Sequence, residues 1–239
     1  MTRALAIAAA VLVAVPCAAV AAEGPILIGR SVDGRPISAV RVGDANAKRT
    51  ALVVGVIHGN ERAGRRVVAV LKGRRDLRGV ALWLVDSLNP DGEALGRRQN
   101  ARGVDLNRNW PARWKRTSRG SAYYGGPKPF SEPETRALRA FALRIRPAVT
   151  IWYHQPYGAV LAPCRGAIPV QQRYADLARF PVQRCTGDRL PGTAVRWENT
   201  TLPGTTAFVV EFGAAAPSSA TIVRHARAAA IVARFGAGR

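Results

Sequence analysis

The sequence predicts a single α/β domain, a mixed but mainly parallel sheet flanked by helices, and three observations carry that expectation. Short apolar runs alternate with helical patterns after residue 22, the order in which parallel strands and their crossover helices succeed one another. Several of those runs, Ala51 to Ile57 and Val149 to Tyr153 among them, are continuously apolar and rich in β-branched residues, as strands buried on both faces are. The length of 239 residues, with 48% hydrophobic and 21% charged, is one domain's worth of chain and too apolar for a disordered polycation.

The first 22 residues form a separate object. Arg3 supplies a positive start, Ala4 to Val15 an apolar stretch, and Ala19-Val20-Ala21 or Val20-Ala21-Ala22 a small-residue cleavage site, together a signal peptide that leaves a catalytic-sized domain over 23–239. Ile26 to Ile28 and Ile37 to Val42 read as two strands around Asp33-Gly34-Arg35-Pro36, a turn-forming cluster. Ala51 to Ile57 is the first buried strand, Glu61 to Leu71 a helix stopped at Gly73, and Val80 to Val85 the next strand. From Asn89 to Pro129 the chain is rich in Gly, Pro, Asn and Arg without period, a long loop region of the kind that is usually functional in a compact domain. A helix from Glu132 to Ile145 follows, with Ser131 as N-cap and Glu134 completing a capping box. Val149 to Tyr153 and Ala207 to Glu211 are further buried strands, and Ser219 to Phe235 is a closing amphipathic helix.

Cysteine usage and charge bound the environment. With Cys17 in the leader, Cys164 and Cys185 remain as an even pair, and one disulfide in an oxidising compartment is the simplest reading. The leader is too short to span a bilayer and no later stretch reaches ~20 apolar residues, so a secreted or periplasmic, envelope-located protein without a transmembrane segment is expected. The formal net charge is +21. Apart from Lys48, Lys72, Lys115 and Lys128 the positive charge is Arg scattered beside abundant Ala, with no nucleic-acid-binding motif, so the charge implies non-specific attraction to an anionic cell envelope and no specific nucleic acid.

The candidate chemistry gathers at strand ends. The run from Ala51 leads into His58-Gly59-Asn60-Glu61, that from Val149 into His154, and that from Ala207 into Glu211. In open α/β sheets the carboxyl edge of the strands is where ligands bind. His58 and Glu61, three apart, with His154 make a two-His, one-carboxylate set suited to Zn²⁺ with a position left for water.

With Asn89-Pro90-Asp91-Gly92, Gly103-Val104-Asp105-Leu106-Asn107-Arg108-Asn109-Trp110 and Val209-Val210-Glu211 in the same order, the chain resembles the carboxypeptidase A-like zinc metallocarboxypeptidases. Gly29 to Ile37 is also similar to that family's N-terminal strands. The resemblance implies a carboxypeptidase A-like fold and Zn²⁺ as cofactor, with His58, Glu61 and His154 as metal ligands. It further implies Glu211 as general base and acid, Asn107 and Arg108 as the grip on a substrate's terminal carboxylate, and Arg98 as the group that polarises the scissile carbonyl. Arg97 and Arg102 lie near enough in sequence to compete with Arg98 for that role.

Two departures refine the resemblance. No Tyr occurs between Cys185 and Thr206, where pancreatic members carry a mobile one, and the spacings between the motifs are short. The short spacings look more like the compact bacterial branch that includes murein peptide amidases. The implied activity is hydrolysis of an amide next to a free carboxylate, in a peptide or a muropeptide from peptidoglycan. Competing readings are a zinc deacylase of the aspartoacylase or desuccinylase type, a non-catalytic envelope-binding module, and a polyanion binder. On sequence grounds His225 is expected to be an exposed helical residue, Asp188 and Glu198 solvated loop carboxylates, and Trp152, Tyr153 and Trp197 core or pocket wall.

Overall fold

The computed structural model describes residues 24–186 and 190–235; the expected signal peptide and Asp188 lie outside them. Eight strands form one sheet: β1 (Ile26–Arg30), β2 (Pro36–Gly43), β3 (Thr50–Val54), β4 (Ala81–Val85), β5 (Val149–His154), β6 (Tyr157–Ala162), β7 (Val182–Arg184) and β8 (Thr206–Gly213). Their spatial order is β1-β2-β4-β3-β5-β8-β6-β7. The central strands β4, β3, β5 and β8 are parallel, whereas β1 and β2 pair antiparallel at one edge and β6 runs antiparallel to β8 near the other. The sheet is therefore mixed with a parallel centre, as the runs of apolar residues imply.

Helices α1 (Ala63–Lys72), α2 (Pro90–Ala94), α3 (Pro133–Ile145), α4 (Pro169–Ala178), α5 (Ala194–Thr201) and α6 (Ser219–Val232) connect and cover the strands. Because successive strand residues face opposite sides, each central strand feeds two cores. Ala51, Val53, Val149, Ile151, Tyr153, Phe208 and Val210 pack under α1, α4 and α6. Leu52, Val54 and Trp152 pack on the other side with Leu138 and Phe141 of α3, Trp197 of α5, and Trp110. Among the described residues no helix is long and apolar enough to cross a membrane. Cys164 and Cys185 are joined, linking the end of β6 to the end of β7.

Several local expectations are corrected. The third strand ends at Val54, not Ile57, because Gly55 brings the chain against neighbouring backbone; a Cβ there would lie 2.6 Å from the Asp86 carbonyl oxygen and 3.1 Å from the Arg65 nitrogen. Helix α1 begins at Ala63, leaving Glu61 in the preceding turn. Ser131 is not an N-cap: Glu132 occupies that position, Ser131 Oγ donates to its carboxylate, and Glu134 accepts from the Val32 amide and Asn100 instead of closing a box. The stretch between His154 and Thr206 holds β6, α4, β7 and α5, whose short runs are broken by Pro and Gly. Strand β8 continues two residues past Glu211.

His225 and Glu198 overturn their expected exposure, both being fully buried. His225 lies on the inner face of α6, where its Nδ1 is 2.8 Å from Tyr174 Oη, itself 2.9 Å from Tyr153 Oη. The helical turn of about 100° per residue separates it from flanking Arg224 and Arg227, and burial together with the Arg224 charge lowers its pKa to about 4. Glu198 is on α5, not a loop, and accepts from Trp152 Nε1 at 3.0 Å, while its Oε1 has no partner. Burial pushes its pKa up to about 8, so the carboxyl is neutral in the folded protein over most of the physiological range.

A folded-state pKa raised above the unfolded value means that the native state holds a proton the unfolded chain has lost. The resulting contribution is fully present below the ordinary carboxylate range and declines as pH rises toward about 8. Glu198→Gln, which cannot ionise, should therefore gain stability relative to the native chain as pH is raised from about 5 to about 9, each kcal/mol appearing as roughly 2–4 °C in Tm. Parallel Tm curves for the two proteins across that range would refute the assignment.

Candidate functional site

Three strand ends of the parallel centre converge. Strand β5 ends on His154, whose register partner on β8 is Glu211, while the segment after β3 reaches His58 and turns back through the Glu61 amide to His58 carbonyl hydrogen bond of 3.0 Å. That turn requires Gly59, since a Cβ there would lie 2.0 Å from the Gly92 carbonyl carbon of α2. The Asn89-Pro90-Asp91-Gly92 motif is the matching half. Asn89 Oδ1 caps the Gly92 amide, and its Nδ2 donates to the carbonyls of Ile57 and Arg98 at 3.1 Å, tying the β3 end to the loop that carries Arg98. Asp91 accepts from Ser31 Oγ, the Asp33 amide and Arg35, which fastens the β1–β2 turn to the same corner.

At the centre, the Glu61 carboxylate oxygens lie 2.9 Å from His58 Nδ1 and 2.9 Å from His154 Nδ1, and the two Nδ1 atoms are 3.2 Å apart. His58, Glu61 and His154 are all buried and each offers a ligand atom within 4.8 Å of the others. Burial would raise the Glu61 pKa, but the hydrogen bonds and charges of His154 and His58 outweigh it and hold the group far below the usual carboxylate range. Burial would likewise lower that of His58, yet Asp105 and Glu61 raise it overall; for His154 burial prevails and lowers it.

Asp105 is the functional residue that sequence reasoning missed. Fully buried, it contacts His58 Nε2 at 3.0 Å through Oδ1, accepts the Asn107 amide at 2.8 Å, and takes Arg98 Nε at 3.0 Å on Oδ2. One carboxylate thus orients a ring, caps the 3₁₀ turn at Leu106–Arg108 and holds a guanidinium. The available signal is its place inside the Gly103 to Trp110 motif, two residues before Asn107.

Of the three candidate arginines, Arg98 alone lines the cleft; its Nη1 is 3.1 Å from Glu61. Arg97 donates to the Asn100 carbonyl and Arg102 faces Glu132 at 3.8 Å. Asn107 Oδ1 accepts the Ala194 amide at 3.0 Å, and Arg108 Nη1 donates to the Asn107 carbonyl. Tyr123, also unforeseen, sets its ring 5.4 Å from the guanidinium carbons of both Arg98 and Arg108. Glu211 faces the same cleft of about 1230 Å³, with Oε2 buried and without a partner. Burial, and then the negative charge of Glu61, push its pKa up to about 7.

Residues 24–186 match the zinc carboxypeptidase family. The chain belongs to that family. It is 32% identical over 183 residues to murein peptide amidase A of Escherichia coli K12, spanning 71% of this chain and 74% of the relative, and 28% identical over 198 residues to that of Vibrio campbellii. Among solved structures, the murein-tripeptide amidase MpaA of Escherichia coli O157 superposes with a TM-score of 0.71 at 28% identity, over 89% of this chain and 92% of that one. Carboxypeptidase A of Helicoverpa armigera shares the fold, with a TM-score of 0.74 at 19% identity over 90% of this chain and 69% of that one. This zinc carboxypeptidase is accordingly a hydrolase of the metallocarboxypeptidase class.

Asp105 supports the site electrostatically as well as sterically. Removing one member of a buried, hydrogen-bonded charge set leaves its partners uncompensated, at a cost of about 3–5 kcal/mol. Asp105→Ala should lose stability on that scale in urea denaturation of metal-free protein. A loss below about 1 kcal/mol would show that Arg98 and His58 hold their places without it.

Proposed function

We propose that this zinc carboxypeptidase is exported after removal of residues 1–22, leaving 23–239 as its catalytic domain. In this reading it is a zinc-dependent exopeptidase that hydrolyses the amide bond next to a free C-terminal carboxylate, with peptidoglycan stem peptides as its substrates. The observation that carries the reading is the convergence, in one buried cleft, of two imidazole Nδ1 atoms and a carboxylate beside a partnerless Glu211 oxygen and the Asn107–Arg108 pair.

The donor set fits zinc. Two ring nitrogens and a carboxylate oxygen brought this close together in a buried site are the nitrogen and oxygen ligands that zinc takes. His58, Glu61 and His154 would hold it, and when bound it supplies Lewis acidity and a lowered pKa for coordinated water. Glu211, with a pKa of about 7, takes a proton at its free Oε2 and returns it to the departing amine, a role that needs a pKa close to working pH. Arg98 is the donor for the oxygen on which negative charge develops. Asn107 and Arg108 hold the terminal carboxylate, for which a guanidinium fork is the matching partner, so the bond to be cut is chosen by distance from the chain end.

The muropeptide substrate class is supported by the similarity to murein peptide amidases over nearly three quarters of the chain. Export is supported by the leader's composition and by the Cys164–Cys185 bond, which suits an oxidising compartment. The strong positive charge favours residence near an anionic envelope.

Glu211→Gln should keep its zinc, measured by elemental analysis, and lose at least ~10² in kcat; near-native turnover at equal metal content would remove Glu211 from the reaction.

The central test is a double cycle: native enzyme and Arg108→Ala, each against the free-acid and C-terminally amidated forms of one muropeptide or peptide, with products identified by mass spectrometry. Loss of a buried charged pair costs ~2–5 kcal/mol in kcat/KM. Amidation should be that damaging to the native enzyme and nearly harmless to the variant. Two effects that simply multiply would mean that Arg108 does not read the carboxylate.

A further inference from the structure

Arg98 and Arg108 face one cleft with unequal support. Arg98 is held by carboxylates, its Nη1 3.1 Å from Glu61 and its Nη2 2.9 Å from Asp105. Arg108 forms no ion pair among the described residues, and its Nη1 donates to the Asn107 carbonyl at 2.8 Å. Burial pulls the pKa of Arg108 below its ordinary value; Asp105 opposes that pull and the Arg98 charge adds to it. Two guanidiniums that repel each other are therefore kept together with ion pairs on one of them alone.

What they share is the ring of Tyr123. The Cζ atoms of Arg98 and Arg108 each lie 5.4 Å over its centroid, inside the ~6 Å within which the negative face of an aromatic quadrupole attracts a cation. A core role does not explain the ring. Tyr123 is 54% exposed and belongs to neither hydrophobic cluster.

The backbone fixes where that ring stands. The Tyr123 amide donates to Ser121 Oγ and its carbonyl accepts from Thr117 Oγ1, both at 3.2 Å. The next residue, Tyr124, is buried, and its carbonyl accepts the Asp105 amide at 2.8 Å. One position further on, a Cβ at Gly125 would lie 2.5 Å from the Arg108 carbonyl oxygen, so the two segments cross at a distance that only glycine allows. Tyr123 is thus mounted against the segment that carries Asp105 and Arg108, and Asp105 in turn holds Arg98.

We propose that Tyr123 is a positioning residue for both arginines: its ring holds the two guanidiniums side by side, at the spacing from which the carbonyl and the terminal carboxylate of one substrate are met together. The ring face supplies negative potential without a formal charge. A carboxylate in its place would compete with the substrate carboxylate for Arg108 and repel it. The roles of the two arginines rest on the exopeptidase reading; the hold of the ring on them does not.

The test compares zinc-loaded native protein with Tyr123→Phe, Tyr123→Leu, and chains carrying mono-, di- or trifluorinated phenylalanine at position 123. Fluorine weakens the ring quadrupole in steps with little change of shape, so a graded loss reports the cation contact, which a packing role would not produce. Each protein is titrated calorimetrically with N-acetyl-alanine as a free-acid probe and with its amide, and assayed on N-acyl peptides. Tyr123→Phe should match the native protein. Tyr123→Leu should bind the free acid roughly three- to thirtyfold more weakly, with the fluorinated chains in order between them and the amide insensitive throughout. In the Arg108→Ala background the series should flatten. Tyr123→Leu should also both raise KM and lower kcat, because Arg108 acts on bound substrate and Arg98 on charge that develops during reaction.

Equal binding by native protein and Tyr123→Leu, Tyr123→Phe as damaging as Tyr123→Leu, a flat fluorine series, or a series equally graded in Arg108→Ala would overturn the inference. Should Tyr123→Leu fail to fold, the fluorinated chains decide it. A graded series in binding without hydrolysis of any peptide would support the inference and count against the exopeptidase reading alone.

Discussion

Everything at the cleft depends on neutralising two buried carboxylates that sit on either side of one imidazole. Glu61 and Asp105 flank His58 through Nδ1 and Nε2 at 2.9 and 3.0 Å, and Arg98 bridges both from the cleft side. Neither acid could remain ionised at that depth without partners around it: His154 and His58 hold Glu61, and His58, Arg98 and Arg108 hold Asp105, far below the usual carboxylate range. The same pressure has the opposite result at Glu211. It lies near Glu61 but outside the set of cationic contacts, and its pKa rises to about 7. Two glutamates in one cleft are thus driven apart, one held ionised and one with a pKa close to neutrality.

The backbone makes that arrangement possible by close approach. Gly59 against Gly92 and Gly55 against Asp86 allow the segment after β3 to double back over α2. The parallel register of β3, β5 and β8 then brings residues nearly a hundred positions apart to one edge. Asn89, with hydrogen bonds to both Ile57 and Arg98, couples the segment that carries His58 and Glu61 to the loop that carries Arg98. A shift of either would misplace the other.

On the opposite wall, α5 joins Asn107 to the core. Its first amide holds Asn107, while Trp197 and the protonated Glu198 pack into the cluster around Trp110 and Trp152. The cleft wall and the core are therefore joined through adjacent residues of one short helix, with Val195 and Arg196 on the cleft side.

Strands β1 to β5 and β8, helices α1, α3 and α6, the buried centre of the sheet, and the gathering of His58, Glu61, His154 and Glu211 at the carboxyl edge of that sheet were legible in the sequence; β6, α4, β7 and α5 were not. Continuous β-branched runs report burial on both faces, and polar residues at the ends of such runs have few roles other than function. Burial of His225 and Glu198 was not legible: each has a polar sequence neighbour, and only the packing of α6 and α5 turns them inward. Asp105 looked like one polar residue in a polar loop until the fold set it against His58 and Arg98. The choice among Arg97, Arg98 and Arg102 depends on which side of a loop each faces. Sequence determines which groups are available and on which elements they ride. Tertiary structure alone decides which charges share a low-dielectric space, because pairing and desolvation act through distances between segments that are remote in the chain.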